Sequence, residues 1–173
     1  AGRLELHSEP FSLRHVMERA CDAVQSVATD RNVRLSVFVD PTLPIRWVGD
    51  AARVRQILLN LLGNAIKFSA GLEQLGRVGL RAFQAPGGGV RIEVCDNGIG
   101  MSEDVHQRVF QPFEQGDESS SGQYGGTGLG LAICREIVQS LDGSIDLDNR
   151  TGPQHGLDAT ARLPLAPTTT TET

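Results

Sequence analysis

Two glycine-rich turns, each joined directly to a regular element, constrain this chain more than any other feature. The first, Asp96-Asn97-Gly98-Ile99-Gly100, follows the strand-like run Val90 to Cys95. The second, Gly125-Gly126-Thr127-Gly128-Leu129-Gly130-Leu131, runs into an apolar helical pattern, Thr127 to Leu141. Glycines at alternate positions let the backbone come close to a ligand. Glycines ahead of a helix expose N–H donors where the helix dipole favours an anion such as phosphate. The chain holds 20 glycines, and they cluster at such places rather than scatter. Two familiar glycine signatures do not fit. A P-loop needs Lys and Ser or Thr directly after its last glycine, where Leu131-Ala132 stands; the dinucleotide pattern fails because Leu131 occupies its last glycine position and a polar stretch precedes it.

Between and around these turns the apolar spacing predicts a mixed domain. Ser12 reads as the N-cap of a helix carrying Leu13, Val16, Met17, Ala20, Val24, Val27 and Ala28. Val33, Leu35, Val37 and Val39 alternate as a half-buried strand, and Pro41 to Pro44 reads as a loop. Asp50 is a good N-cap for a second helix to about Phe68. Arg77 to Gln84 and Val90 to Cys95 form a hairpin around Ala85-Pro86-Gly87-Gly88-Gly89. Ser102 caps a short helix to about Val109. Gln111 to Gly126 has almost no apolar periodicity, and a loop that long in a compact domain is usually functional or disordered. Ser144 to Leu147 and Leu157 to Leu163 close the pattern as a strand pair. Mixed strands and helices with hairpins predict an α+β, two-layer sandwich: one mostly antiparallel sheet with helices on one face.

The second helix carries the densest polar chemistry. Asn60, Asn64 and Lys67 stand at i, i+4 and i+7, hence on one face. Amide oxygens are hard ligands that suit Mg²⁺, which takes few protein ligands beside phosphates and water. A lysine beside them neutralises phosphate oxygens. A solvated polar face is the competing reading, although asparagine is a poor helix former. At the end of its strand, Asp96 can accept a hydrogen bond from an exocyclic amine such as that of adenine.

Bulk properties narrow the class. The 173 residues suit one domain, and the net charge of −5 argues against a nucleic-acid partner. Cys21, Cys95 and Cys134 are odd in number and far apart, so they read as small core residues in a reducing compartment rather than as a disulfide or zinc framework. No apolar run is long enough to span a membrane.

At these residues the sequence resembles the histidine-kinase branch of the GHKL ATPase superfamily, whose fold is the Bergerat sandwich. Gln56 to Phe68 resembles its N box, Asp96 to Gly100 its first glycine box, Phe110-Gln111-Pro112-Phe113 its F box, and Gly126 to Leu131 its second glycine box. The match covers roughly Leu4 to Leu165. The resemblance implies ATP and Mg²⁺ as cofactors. Asn64 would be the main Mg²⁺ ligand with Asn60 nearby, and Asn60 and Lys67 would serve the phosphoryl transfer. Phe68, Asp96, Gly98, Ile99, Gly100, Phe113, Tyr124, Gly126, Thr127, Gly128, Leu129 and Gly130 would bind the nucleotide, with Asp96 reading the adenine amine. Gln111 to Gly126 would be a lid over ATP. The reaction would be transfer of the γ-phosphoryl group to a histidine on a separate dimerisation domain, within a two-component phosphorelay.

The resemblance also implies what lies outside this sequence. The family's phosphoacceptor sits on a helical hairpin ahead of this domain, and Ala1 to Leu6 resembles the junction just after it. Residues 1–10 thus read as linker end and first strand, 11–165 as the catalytic domain and 166–173 as a C-terminal linker. His7, His15, His106 and His155 read as surface or loop residues. Trp47-Val48-Gly49-Asp50 resembles hybrid kinases that continue into a receiver domain. The expected partners are therefore the dimerisation domain and a receiver domain or response regulator. The piece would be monomeric and cytoplasmic, and its parent a homodimer anchored in the cell membrane.

Two departures keep three functions in view. No Lys or Arg lies between Gln111 and Gly126, and Leu157-Asp158-Ala159 stands where a Ser-Thr-Phe-like run is common. An active kinase domain is the main reading. Gyrase-type ATPases place Glu at the Asn60 position to activate water, which asparagine cannot do. A degenerate regulatory domain, acting through protein contacts, is the third.

Overall fold

The structure, a computed structural model, describes residues 7–110, 128–150 and 155–168. Strand β1 (Glu9–Ser12) leads into helix α1 (Leu13–Asp30). Ser12 caps α1 by accepting the His15 amide at 3.2 Å, and Leu13, Val16, Met17, Ala20, Cys21 and Ala28 form its buried stripe. Arg31 caps the end of the helix, and the chain turns out of it through Asn32, which takes the left-handed φ of 58°. Strands β2 (Val33–Val39) and β3 (Arg46–Gly49) follow.

Helix α2 (Ala51–Ser69) is the centre of the molecule. Asp50 Oδ1 accepts the Arg53 amide at 3.1 Å and so fixes its first turn. Val54, Ile57, Leu58, Leu61, Leu62, Ala65 and Ile66 are all buried on it. An apolar arc this wide fits a helix covered by α1, by the sheet and by a further helix, α4 (Gly128–Ser140). A short helix, α3 (Glu103–Arg108), capped by Ser102, lies between them in sequence.

The main sheet has five strands in the order β2-β4-β5-β7-β6, with β4 (Gly76–Gln84), β5 (Val90–Asp96), β6 (Ser144–Asn149) and β7 (Leu157–Leu163). Only β2 and β4 pair in parallel; the other pairs are antiparallel. Alternation puts Val78, Leu80, Ala82, Ile92, Val94, Ala161 and Leu163 under the helices. Each large one contributes roughly 1.5–3 kcal/mol by leaving water. The opposite face carries Arg81, Arg91, Glu93, Asp146 and Arg162, with Phe38 and Phe83 packed at 5.7 Å between ring centroids.

A second, three-stranded sheet in the order β1-β3-β8 was not expected as such. β3 is four residues long, and β8 (Ala166–Pro167) lies within the stretch read as linker. There Ala166 pairs with Val48 and Pro167 with Trp47. All three cysteines are buried and free. Among the described residues, no helix is long and apolar enough to cross a membrane.

Candidate functional site

The end of α2, the end of β5 and the start of β7 converge on one cleft. It is lined by Leu61, Asn64, Ala65 and Phe68 of α2, and by Val94 and Asp96 of β5. Met101, Leu131 of α4, Leu147 of β6, and Leu157 and Ala159 of β7 complete it. Asn64 and Asp96 are the two polar side chains in an otherwise apolar wall. That is the composition expected of a slot for a flat, largely apolar ligand with a polar edge.

Asp96 is 3% exposed. Its Oδ1 accepts two backbone amides, Gly98 at 2.9 Å and Leu157 at 3.2 Å. Both bonds use the same oxygen, so Oδ2 has no partner among the described residues. Burial pushes the carboxyl above its ordinary pKa, while the amides of Gly98 and Leu157 pull it part of the way back.

The glycine turn is built against the last turn of α2. The Ile99 amide donates to Phe68 O at 3.3 Å, and a Cβ on Gly98 would stand 2.3 Å from that same oxygen. Only glycine permits this approach. Asn97 ties the turn to the start of β4: its Oδ1 accepts the Arg77 amide at 2.8 Å and its Nδ2 donates to Leu75 O, just ahead of the strand, at 3.0 Å.

Asn60 and Asn64 are half-buried on α2. Asn60 Nδ2 donates to Gly130 O at 3.4 Å, which joins α2 to the first turn of α4. Asn64 makes no side-chain hydrogen bond among the described residues. Lys67 stands in the last turn of α2 but outside the cleft lining. Burial, and then the nearby Arg31 guanidinium, lower its pKa. Phe110 is held under the Arg135 guanidinium of α4 at 5.5 Å.

The structure thus brings Asn64, Phe68 and Asp96 into one cleft, with Gly98, Ile99 and Gly100 in the turn between its lining residues Asp96 and Met101, and Asn60 bonded to Gly130. Phe113, Tyr124, Gly126 and Thr127 lie outside the described residues, as do the side chain of Leu129 and the segment Gln111 to Gly126 read as a lid. Sequence reasoning missed Leu157, which acts through a backbone N–H, and the apolar walls Val94, Leu131, Leu147 and Ala159. Their inward positions on β5, α4, β6 and β7 were readable from alternation and helical spacing; their convergence was not.

The two layers and the slot between them define the class first: an α/β sandwich with a ligand cleft between its central helix and its sheet. Residues 49–167 match the family described as Histidine kinase-, DNA gyrase B-, and HSP90-like ATPase. The sensor histidine kinase AruS of Pseudomonas aeruginosa is 39% identical over 142 residues, covering 82% of this chain and 14% of its own length. Hybrid signal transduction histidine kinase K of Dictyostelium discoideum is 33% identical over 159 residues, covering 86% of this chain and 13% of its own length. The chain therefore spans a small part of these relatives. Full-length ShkA, solved in complex with AMPPNP, superposes with a TM-score of 0.82 at 29% identity, over 97% of this chain and 33% of that one. The chain belongs to the histidine kinase-, DNA gyrase B- and HSP90-like ATPase family and corresponds to the catalytic ATP-binding part of sensor histidine kinases.

Proposed function

We propose that this domain binds Mg-ATP in the α2–β5–β7 cleft and passes the γ-phosphoryl group to a histidine carried on a separate helical domain of the same kinase. One observation carries the placement of the base: a buried carboxylate whose first oxygen is saturated by two amides and whose second is left for the slot. Asp96 Oδ2 accepts the exocyclic amine of adenine, while Phe68, Met101, Leu131 and Leu157 enclose the ring.

Mg²⁺ fits the donor set. Asn60 and Asn64 offer neutral amide oxygens one helical turn apart, and among the described residues no group of three or more His, Cys, Asp or Glu gathers into a protein-only cage. Bound there with the nucleotide, Mg²⁺ supplies charge neutralisation on the triphosphate. Asn60 ties the first turn of α4 to α2 through Gly130. Lys67 extends from the last turn of α2 as the cation for phosphate oxygens. Phosphoryl transfer rests on such positioning and charge neutralisation. The nucleophile is a neutral imidazole nitrogen brought by the other domain, so no strong base is needed here.

The wider setting belongs to the same proposal. A receiver domain or response regulator takes the phosphoryl group onward, as the hybrid relative's name suggests for that protein. The parent is a membrane-anchored homodimer, and the domain alone is monomeric and cytoplasmic. Calorimetry with AMPPNP, with and without Mg²⁺, on this chain and on Asn64→Ala tests the reading. Micromolar to sub-millimolar binding that needs both Mg²⁺ and Asn64 supports it. No binding at millimolar nucleotide replaces it with a regulatory domain that works through protein contacts.

A further inference from the structure

The main sheet ends on β2 at one side and on β6 at the other, and the segment after the glycine turn is strapped along β6. Asn149, the last residue of β6, spans the gap with both ends of its side-chain amide. Its Oδ1 accepts the Met101 amide at 2.8 Å, and its Nδ2 donates to Met101 O at 2.7 Å. One side chain thus reproduces the paired bonds that a neighbouring strand would make. A few residues on, His106 Nε2 of α3 is bonded to Leu147 O, two residues earlier on β6.

The clamp meets the glycine turn directly. Gly100 holds a φ of 73°, and a Cβ there would stand 2.7 Å from Asn149 Oδ1. Met101, whose backbone Asn149 grips, lines the cleft beside Asp96 and Leu147. The turn is therefore fixed at both of its ends. Phe68 O holds it from the helix layer through Ile99, and Asn149 holds it from the sheet edge through Met101.

We infer that Asn149 is a positioning residue for nucleotide binding: it sets the Gly98–Met101 wall of the cleft at the spacing the adenine ring requires. The inference rests on the proposed ATP site and adds a residue to it from outside all of the glycine and asparagine motifs. Among the described residues the Asn149 side chain hydrogen-bonds to Met101 alone, so its loss is felt by the base and not by the triphosphate.

The test compares this chain with Asn149→Ala and Asn149→Asp, titrated with Mg-ADP and with inorganic triphosphate, beside thermal unfolding of each. Asn149→Ala removes two hydrogen bonds and is expected to weaken ADP by about tenfold or more while triphosphate changes little. Asn149→Asp keeps the acceptor for the Met101 amide but sets a carboxylate against Met101 O, so its ADP affinity should also drop. In Asn149→Ala, which removes the acceptor, the Met101 amide should lose protection from hydrogen exchange, while Asn149→Asp should largely keep it. ADP affinity within twofold of the parent chain, in either variant that folds, overturns the inference. Equal weakening of ADP and triphosphate also overturns it, since that is what general loosening produces. If the unmodified chain binds no ADP, the ATP site itself fails and the inference falls with it; binding that ignores Asn149 sinks the inference alone.

Discussion

The carbonyl oxygen of Phe68 is shared between two partners in the glycine turn: it accepts the Ile99 amide at 3.3 Å and leaves no room for a side chain on Gly98, whose Cβ would fall 2.3 Å away. The last turn of the central helix and the turn after β5 are therefore one unit. Movement of either displaces the other.

Gly98→Ala should break that unit. The added methyl meets backbone, which cannot swing aside as a side-chain tip would. Overpacking of this kind costs about 1–3 kcal/mol. Urea unfolding should show that loss, and calorimetry should show nucleotide binding weakened beyond what the remaining folded fraction explains. A variant with the parent's stability and affinity would mean the two segments are not in contact.

Asp96→Asn should separate recognition from stability. The new amide keeps an oxygen for the Gly98 and Leu157 amides but turns an N–H toward the slot, opposite the adenine amine. ATP should bind about 10- to 100-fold more weakly, the worth of a hydrogen bond to a charged group. Triphosphate should be nearly unaffected, and a purine with a carbonyl in place of the amine should lose less than ATP. Burial raises the Asp96 pKa above 3.8, so the folded state holds this proton more tightly than the unfolded chain. Its contribution to stability is present below that pH and is lost as pH rises through the folded value. The variant lacks this loss, so its stability relative to the parent should improve from acid to neutral pH. Melting curves across that range would show a flat difference if the carboxyl were not desolvated.

The three cysteines should resist alkylation while the domain is folded. Burial pushes Cys134 up to about 12 and Cys21 and Cys95 up to about 11, with the Asp158 carboxylate adding to the rise at Cys95. The reactive thiolate is then scarce at pH 8. A thiol reagent at that pH should modify the native chain slowly and all three sites quickly in denaturant. Rapid native labelling of Cys134 would contradict its full burial in the core.

Surface charge and core volume should differ sharply in what they are worth. Arg162 and Asp146 approach to 2.7 Å, yet their side chains are 46% and 59% exposed. Arg162→Ala should cost at most about 1 kcal/mol, and less in high salt. Leu80→Ala, on the inner face of β4 with no exposure, should cost about 2–5 kcal/mol. Chemical denaturation of both variants at two salt concentrations would settle the ranking.

Much of this was legible because the signals were local. Asp50, three residues ahead of the amide it caps, and the apolar spacing of α2 are written within one helix. Asp96 was found because a carboxylate closes a strand and opens a glycine turn. Asn149 was not found, since its partner Met101 lies 48 residues away and is gripped through its backbone, which leaves no mark in residue type. Leu157 contributes a backbone amide, which leaves no mark in residue type. β3 and β8 escaped for a related reason. Four residues and two residues carry too little alternation to read, and Pro167 at an edge looks like a linker until its partner Trp47 is known.

The small sheet has a mechanical consequence. β1 and β8 are both antiparallel to β3, so they run in the same direction on its two sides. The chain arrives at the start of β1 and departs from the end of β8. Tension applied between Glu9 and Thr168 therefore pulls the two outer strands lengthwise in opposite senses, with β3 between them. The bonds joining the three strands lie across the line of pull and share the load together. That load passes by the five-stranded sheet altogether, and tugging on the ends of this domain should leave the shape of its cleft almost untouched until the small sheet gives way.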